Sequence, residues 1–167
     1  MKIIVVSDNH GRSKPLSTII SAHPDADAYI HCGDSEMSLS ELTPFVTVQG
    51  NNDYYNEAPK IAKINLGEIV ILVTHGHRLP YGNRKEALVD LGIAEGCNLV
   101  CWGHTHVFDV YKSRGITVVN PGSLYYNRDG TSPSYAVIHY EDGALNVERI
   151  DMKLPVKTTK TFRFFSK

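Results

Sequence analysis

Nothing in the sequence commits the chain to a membrane, a disulfide framework or a polyanion. No run approaches the roughly 20 apolar residues that a membrane span needs, so no membrane partner is expected. The apolar start, Met1-Lys2-Ile3-Ile4-Val5-Val6, is too short for a signal peptide, and no small-residue cleavage site follows it. Cysteine is scarce. Cys32, Cys97 and Cys101 make three, an odd number without a secretory signal, which argues for a reduced, cytoplasmic setting. Cys97 and Cys101 lie in or beside one apolar stretch, where a free thiol behaves as a small hydrophobe. Neither sign of charge dominates. The formal net charge is -1, which gives no overall basic field and no strong nucleic-acid signal. Repeats, low-complexity tracts and linkers are also missing, and 167 residues suit one domain spanning 1–167.

What is present suffices for a core. Hydrophobic residues make up 42% and charged residues 21%, the balance of a globular chain. The β-branched run 2–7 predicts a buried strand. Pro15 suits the first turn of a helix whose apolar face is Leu16, Ile19 and Ile20, ending near Ala22. Ala28-Tyr29-Ile30 predicts a second strand, residues 38–42 a short helix, and Phe45–Val48 a third strand. Residues 60–66 and 68–74 predict an antiparallel pair turning at Gly67. Asn83 reads as the N-cap of a helix to about Glu95, with Ala87, Leu88, Leu91 and Ala94 as its apolar stripe and Gly96 as its stop. Residues 97–102 predict another buried strand. Hairpins follow around Ser113-Arg114-Gly115 and about Glu141-Asp142-Gly143.

Early alternation of strand and helix, then hairpins, predicts an α/β fold of two packed sheets with helices outside, one sheet being mixed and largely parallel. The tail 155–167 is basic and places Phe162 and Phe164 in strand-like alternation. It reads first as a terminal strand or frayed end. A contact with a partner, or with a second copy in a homo-oligomer, is the alternative.

Chemistry concentrates where the apolar strands end. Strand 2–7 leads to Asp8 and His10, the strand before His31 to Asp34, and Val46–Val48 to Asn51. Ile69–Val73 leads to His75, and Leu99–Trp102 to His104 and His106. Sites in open α/β sheets form just beyond the carboxyl ends of strands, so these residues should converge on one edge. Imidazoles, carboxylates and an amide oxygen without cysteine suit Mn²⁺ first, with Fe, Zn²⁺ or Ni²⁺ as alternatives. Seven ligands exceed what one metal with an open position accepts. They suit two metals sharing a carboxylate, the arrangement that clamps attacking and leaving oxygens in phosphoryl transfer.

The blocks Asp8-x-His10, Gly33-Asp34, Gly50-Asn51-Asn52-Asp53, His75-Gly76-His77, Gly103-His104-Thr105-His106 and Asn120-Pro121-Gly122-Ser123 together resemble the calcineurin-like metallophosphoesterase superfamily. The likeness is to its small bacterial and archaeal phosphodiesterase branch. The resemblance implies a four-layer α-β-β-α sandwich of two mixed sheets flanked by helices. It implies one metal on Asp8, His10 and His106, another on Asn51, His75 and His104, and Asp34 bridging them. It further implies hydrolysis of a small phosphodiester by in-line attack of a hydroxide bridging the two metals, with Asn51, Asp34 and His104 central to catalysis.

One position departs from the wider family. Many members carry histidine where this chain has Asn52, and an amide cannot act as a general acid at neutral pH. Esters with good leaving groups are therefore expected to react best, unless another donor serves. Arg12 and His77 are candidates to approach the phosphate, and His31 is a candidate neighbour of the ligands. A phosphomonoesterase with the same site is one alternative. A non-catalytic scaffold resembling the retromer subunit of this fold is the other, and intact ligand positions favour the enzyme.

Overall fold

A computed structural model describes residues 1–152 and 160–165. In chain order the strands are β1 (Lys2–Val6), β2 (Ala28–His31), β3 (Val46–Thr47), β4 (Ile61–Asn65), β5 (Val70–Thr74), β6 (Leu99–Cys101), β7 (Phe108–Ser113), β8 (Ile116–Pro121), β9 (Ser134–Glu141), β10 (Ala144–Asp151) and β11 (Lys160–Phe165). Helix α1 spans Ser13–Ala22, and α2 spans Arg84–Ala94.

They form a six-stranded sheet, β11-β10-β9-β1-β2-β3, and a five-stranded sheet, β4-β5-β6-β8-β7. Both are mixed, as the resemblance implies; neither is the mixed, largely parallel sheet that the strand pattern suggested for one of them. Each contains a parallel run, β1-β2-β3 at one side of the six-stranded sheet and β5-β6-β8 in the middle of the five-stranded one, and antiparallel strands complete it. Parallel neighbours need crossovers, which α1 and α2 help supply, whereas the hairpins can only add antiparallel strands.

The layering follows from β-strand alternation. Ile3 and Val5 of β1 face the other sheet and join Ile30, Ile71, Val73 and Leu99 in the central core. Ile4 and Val6 point the opposite way and pack with Leu16 and Ile19 of α1. On the far side, Leu72 and Val100 pack with Leu88 and Val89 of α2. The result is the α-β-β-α sandwich, in which central strands are buried on both faces and so read as continuous apolar runs.

Several local expectations shift. Residues Leu39–Leu42 form one 3₁₀ turn, closed by a capping box between Ser38 and Glu41. The third strand pairs with β2 only over Val46–Thr47, because the chain then turns out toward Gly50. Asn83 occupies the N-cap of α2, but its side chain makes no capping bond. The buried face of that helix is Leu88, Val89 and Gly92, while Ala94 is exposed. Gly92 sets this rotation, since a Cβ there would stand 2.8 Å from Val100 Cγ2. Part of the tail is the edge strand β11, paired with β10, and Phe162 stacks on Phe108 at 6.1 Å. Residues 155–159 and 166–167 of that tail lie outside the described residues.

Candidate metal centre

All seven expected ligands stand past the carboxyl ends of strands in the two parallel runs. Asp8 and His10 follow β1, Asp34 follows β2, Asn51 follows β3, His75 follows β5, and His104 and His106 follow β6. Five of them have a left-handed backbone: Asp8 (φ 54°), His10 (44°), Asp34 (55°), His104 (69°) and His106 (55°). Such conformations cost on the order of 1–3 kcal/mol each and persist only where the surroundings enforce them. Two glycines let the loops close. A Cβ on Gly50 would stand 2.1 Å from Asp34 Oδ1, and one on Gly103 would stand 2.1 Å from Ser7 Oγ.

The outer nitrogens of three imidazoles are committed to acceptors. His75 Nδ1 donates to the Cys32 carbonyl at 2.7 Å, His106 Nδ1 to the Tyr126 carbonyl at 3.1 Å, and His10 Nδ1 to Glu36 Oε1 at 2.6 Å. Each Nε2 is thereby left with its lone pair facing inward. His10 Nε2 and His106 Nε2 lie 3.2 Å apart. Among the described residues, Asp8 Oδ1 is buried without any hydrogen-bond partner. It lies 3.3 Å from His106 Nε2, 3.9 Å from His75 Nε2 and 4.0 Å from His10 Nε2. His75 Nε2 is also 3.0 Å from Asn51 Oδ1 and 3.4 Å from Asp34 Oδ2, and His104 Nδ1 lies 3.1 Å from Asn51 Oδ1.

Lone pairs thus converge on lone pairs, which is the donor set of a cation site. Two compact groups emerge, Asp8-His10-His106 and Asp8-Asp34-His75. Asp8 belongs to both groups, and Asp34, which the resemblance makes the bridge, belongs to the second.

The electrostatics agree. Burial pushes the Asp8 and Asp34 carboxyls up, but neighbours outweigh it and both lie below the usual carboxylate range. For Asp8 these are His106, His75 and Ser7; for Asp34 they are His75 and the two Asn52 donors. Burial works against a charged His75, yet Asp34 and Asp8 raise its pKa, so the site favours positive charge at that point. His104 is pushed down to about 4 by burial first and then by His75 and Arg84.

Outer contacts hold the loops. Asp53 accepts from the backbone N–H groups of Asp34 (2.8 Å), Gly50 (2.7 Å) and Glu36 (2.8 Å), tying the second and third ligand loops together. Asn120 donates to the Gly103 carbonyl at 2.9 Å, and Ser123 Oγ donates to the Asp8 carbonyl at 2.8 Å. His31 is buried among these contacts. Its Nδ1 accepts from Gly33 N at 3.1 Å and its Nε2 donates to Asn9 Oδ1 at 2.8 Å.

A cleft of about 450 Å³ opens over the centre, lined by His10, Asp34, Asn51, Asn52, His104 and His106, with Glu36, Tyr125, Tyr126 and Arg128 completing it. Asn52 belongs to this wall, but its backbone and side-chain N–H groups both go to Asp34. His77 and Arg12 do not line the cleft. His77 packs beside His75 and His104, with ring centroids 5.3 and 6.2 Å away. Arg12 lies over the Tyr125 ring at 4.1 Å. Sequence reasoning missed Glu36, Tyr125, Tyr126 and Arg128. Glu36, two residues past Asp34, had a signal in its spacing, while the other three sit in a polar loop without a motif.

A model of the calcineurin-like phosphoesterase superfamily domain matches residues 1–143. The chain belongs to this superfamily. It is 35% identical over 156 residues to the Bacillus subtilis protein named probable metallophosphoesterase YsnB, covering 90% of this chain and 91% of that one. It is 25% identical over 146 residues to the phosphodiesterase MJ0936 of Methanocaldococcus jannaschii, covering 73% and 83%. A Streptococcus pneumoniae TIGR4 crystal structure, described as a conserved predicted phosphoesterase, superposes with TM-score 0.88 at 28% identity over 98% and 97% of the two chains. Vacuolar protein sorting 29 of Cryptosporidium parvum superposes with TM-score 0.80 at 19% identity over 99% and 98%, a likeness of fold. Among the described residues, no helix is long and apolar enough to cross a membrane.

Proposed function

We propose that the protein is a metal-dependent phosphodiesterase working with two divalent cations, Mn²⁺ first among them. The observation that carries this reading is the partnerless, buried Asp8 Oδ1, faced by three imidazole Nε2 atoms whose outer nitrogens are already committed. Asp8, His10 and His106 would hold one cation, and Asn51, His75 and His104 the other, with Asp34 and Asp8 both in reach of the space between. Such a pair, when bound, supplies a water that ionises near neutral pH and positive charge for the phosphoryl oxygens.

The chain's own residues do the remaining work. Asn52 and Asp53 hold the Asp34 loop in place. Among the described residues, Arg128 is the one basic residue besides the histidines in the cleft lining, and its guanidinium would be available to a phosphate anion there. Asn52 cannot supply a proton to the departing oxygen, since an amide is no acid, and its backbone N–H and one side-chain N–H hold Asp34. Esters whose leaving groups need no proton should therefore turn over fastest. The name of the archaeal relative supports diesters over monoesters.

A scaffold of the same fold is the second reading. The intact, converging donor set supports the enzyme over it. Three free, buried cysteines support a reduced, cytoplasmic setting.

The test is hydrolysis of an activated aryl phosphodiester by metal-stripped protein, with Mn²⁺ added back, beside His104→Ala. Activity that returns with about two metal equivalents and is lost in the variant is the expected result. Folded protein inactive with every divalent metal would overturn the enzyme reading in favour of the scaffold.

A further inference from the structure

Four tyrosines stand exposed in two pairs around the metal cleft. Tyr125 and Tyr126, 39% and 48% exposed, lie in the loop after β8 and line the cleft itself. Tyr54 and Tyr55, 79% and 100% exposed, follow the Asn51–Asp53 turn and line an adjoining hollow of about 160 Å³. The two cavities share Glu36 and Asn52 as common walls, so they adjoin at the metal cleft.

Single exposed aromatics need no explanation. Two pairs on two connected hollows at one reactive centre do. A phosphomonoester has one organic arm and would use one hollow, while a phosphodiester has two. Tyrosine offers a flat, stiff platform with only two side-chain torsions to lose. Tyr125 is held for this role, with the Arg12 guanidinium on its ring and His10 at its edge, 5.6 Å between ring centroids. Tyr126 is set edge-on to His106 at 5.3 Å.

The chemistry of the two hollows differs. Arg128 lines the cleft, where the phosphate belongs. Among the described residues, the lining of the second hollow includes Glu41, which Ser38 holds, and no basic side chain. A further phosphate there would meet only like charge, so the arm seated there is uncharged. The chain's formal net charge of -1 gives no field for a long polyanion.

We propose that the substrate class is a short dinucleoside phosphodiester, with one base on Tyr125–Tyr126 and the other on Tyr54–Tyr55; its sugar oxygen leaves without an acid from Asn52, so it turns over more slowly than an activated aryl ester bound at the same centre. This rests on the phosphodiesterase reading above and names the substrate of that same site.

Calorimetric titration of the Mn²⁺-loaded full chain tests it. The probes are adenylyl-(3′,5′)-adenosine and its base-free counterpart, two riboses joined by a phosphodiester, and chromatography of each finished sample reports turnover. Stacking of the bases should make the dinucleoside bind at least about tenfold more tightly. Tyr125→Ala and Tyr55→Ala should each cut that ratio about fivefold or more, while Tyr125→Phe and Tyr55→Phe keep it. Equal binding of the two probes overturns the proposal. So does a loss confined to Tyr125, because a one-armed site fits a monoester. A preserved ratio with no turnover of either diester would leave the two-base site standing and count against the phosphodiesterase reading alone.

Discussion

Asn52 donates to both oxygens of Asp34, its backbone N–H to Oδ1 and its side-chain amide to Oδ2, each at 2.8 Å. The residue that stands where many relatives have a histidine is therefore a clamp on a neighbouring carboxylate. Asn52→Ala should keep the fold and lower metal affinity about 10–100-fold, the usual effect of losing a contact behind a ligand. A metal titration followed by activity checks this; unchanged affinity would mean that the clamp is idle.

Asn52→His addresses the leaving group. A histidine there supplies a general acid worth on the order of 10²–10⁴ in rate, felt only by esters with poor leaving groups. The expected outcome is a gain for an alkyl diester and little change for an aryl one. Equal gains for both would exclude the acid role.

Gly50→Ala should damage structure and site together. The added Cβ would fall 2.1 Å from Asp34 Oδ1 and 2.4 Å from Asp34 N, and neither atom sits on a flexible tip. Overpacking of this kind typically costs about 1–3 kcal/mol. Urea denaturation should show a loss of that order, with activity falling further than stability. A variant as stable and active as the parent would mean that the loop yields freely.

His31 supplies a pH-dependent part of stability. Burial pushes its pKa from 6.5 down to about 4. Between those values the unfolded chain binds a proton that the folded chain refuses. Stability is therefore complete above pH 6.5 and is lost as pH falls toward 4, by on the order of 3 kcal/mol at most. In metal-stripped protein, His31→Gln should flatten the fall in unfolding free energy across this window. An unchanged slope would assign it to other groups, His104 among them.

The edge strand β11 should matter to stability. Phe162 stacks on Phe108 and packs against the central core. Phe162→Ala should lower the thermal midpoint by several degrees, since about 1–2 kcal/mol shifts a domain of this size by roughly 2–8 °C. No shift would show that the strand adds nothing to the sandwich.

The strand ends were the most legible part of the sequence. Ile3–Val6 and Val70–Val73 are unbroken apolar runs because both faces are buried, and a ligand directly after such a run can be read without coordinates. The face of α2 was less legible. Gly92 carries no side chain to count in a hydrophobic stripe, yet its bareness lets the helix settle onto Val100 and Ile116. The substrate side was least legible. Tyr125, Tyr126 and Arg128 reach the cleft from a loop with no periodicity, and only the fold of β8 and β9 around them brings them over His10 and His106. The direction of Asn52 was also hidden. Its sequence position marked a missing acid, while its two bonds to Asp34 depend on how two loops meet.

The two candidate ligand groups draw on both halves of the sandwich. Asp8, His10 and Asp34 hang from the six-stranded sheet, His75 and His106 from the five-stranded one. A cation in either group is thus a rivet across the seam between the sheets, at the one edge where loops take over from interdigitated aliphatic side chains. Removing it would leave the hydrophobic interior intact and unfasten only that rim. The metal-free protein should breathe from this edge inward, with the amides of the ligand loops exchanging with solvent well before those of β1 and β5.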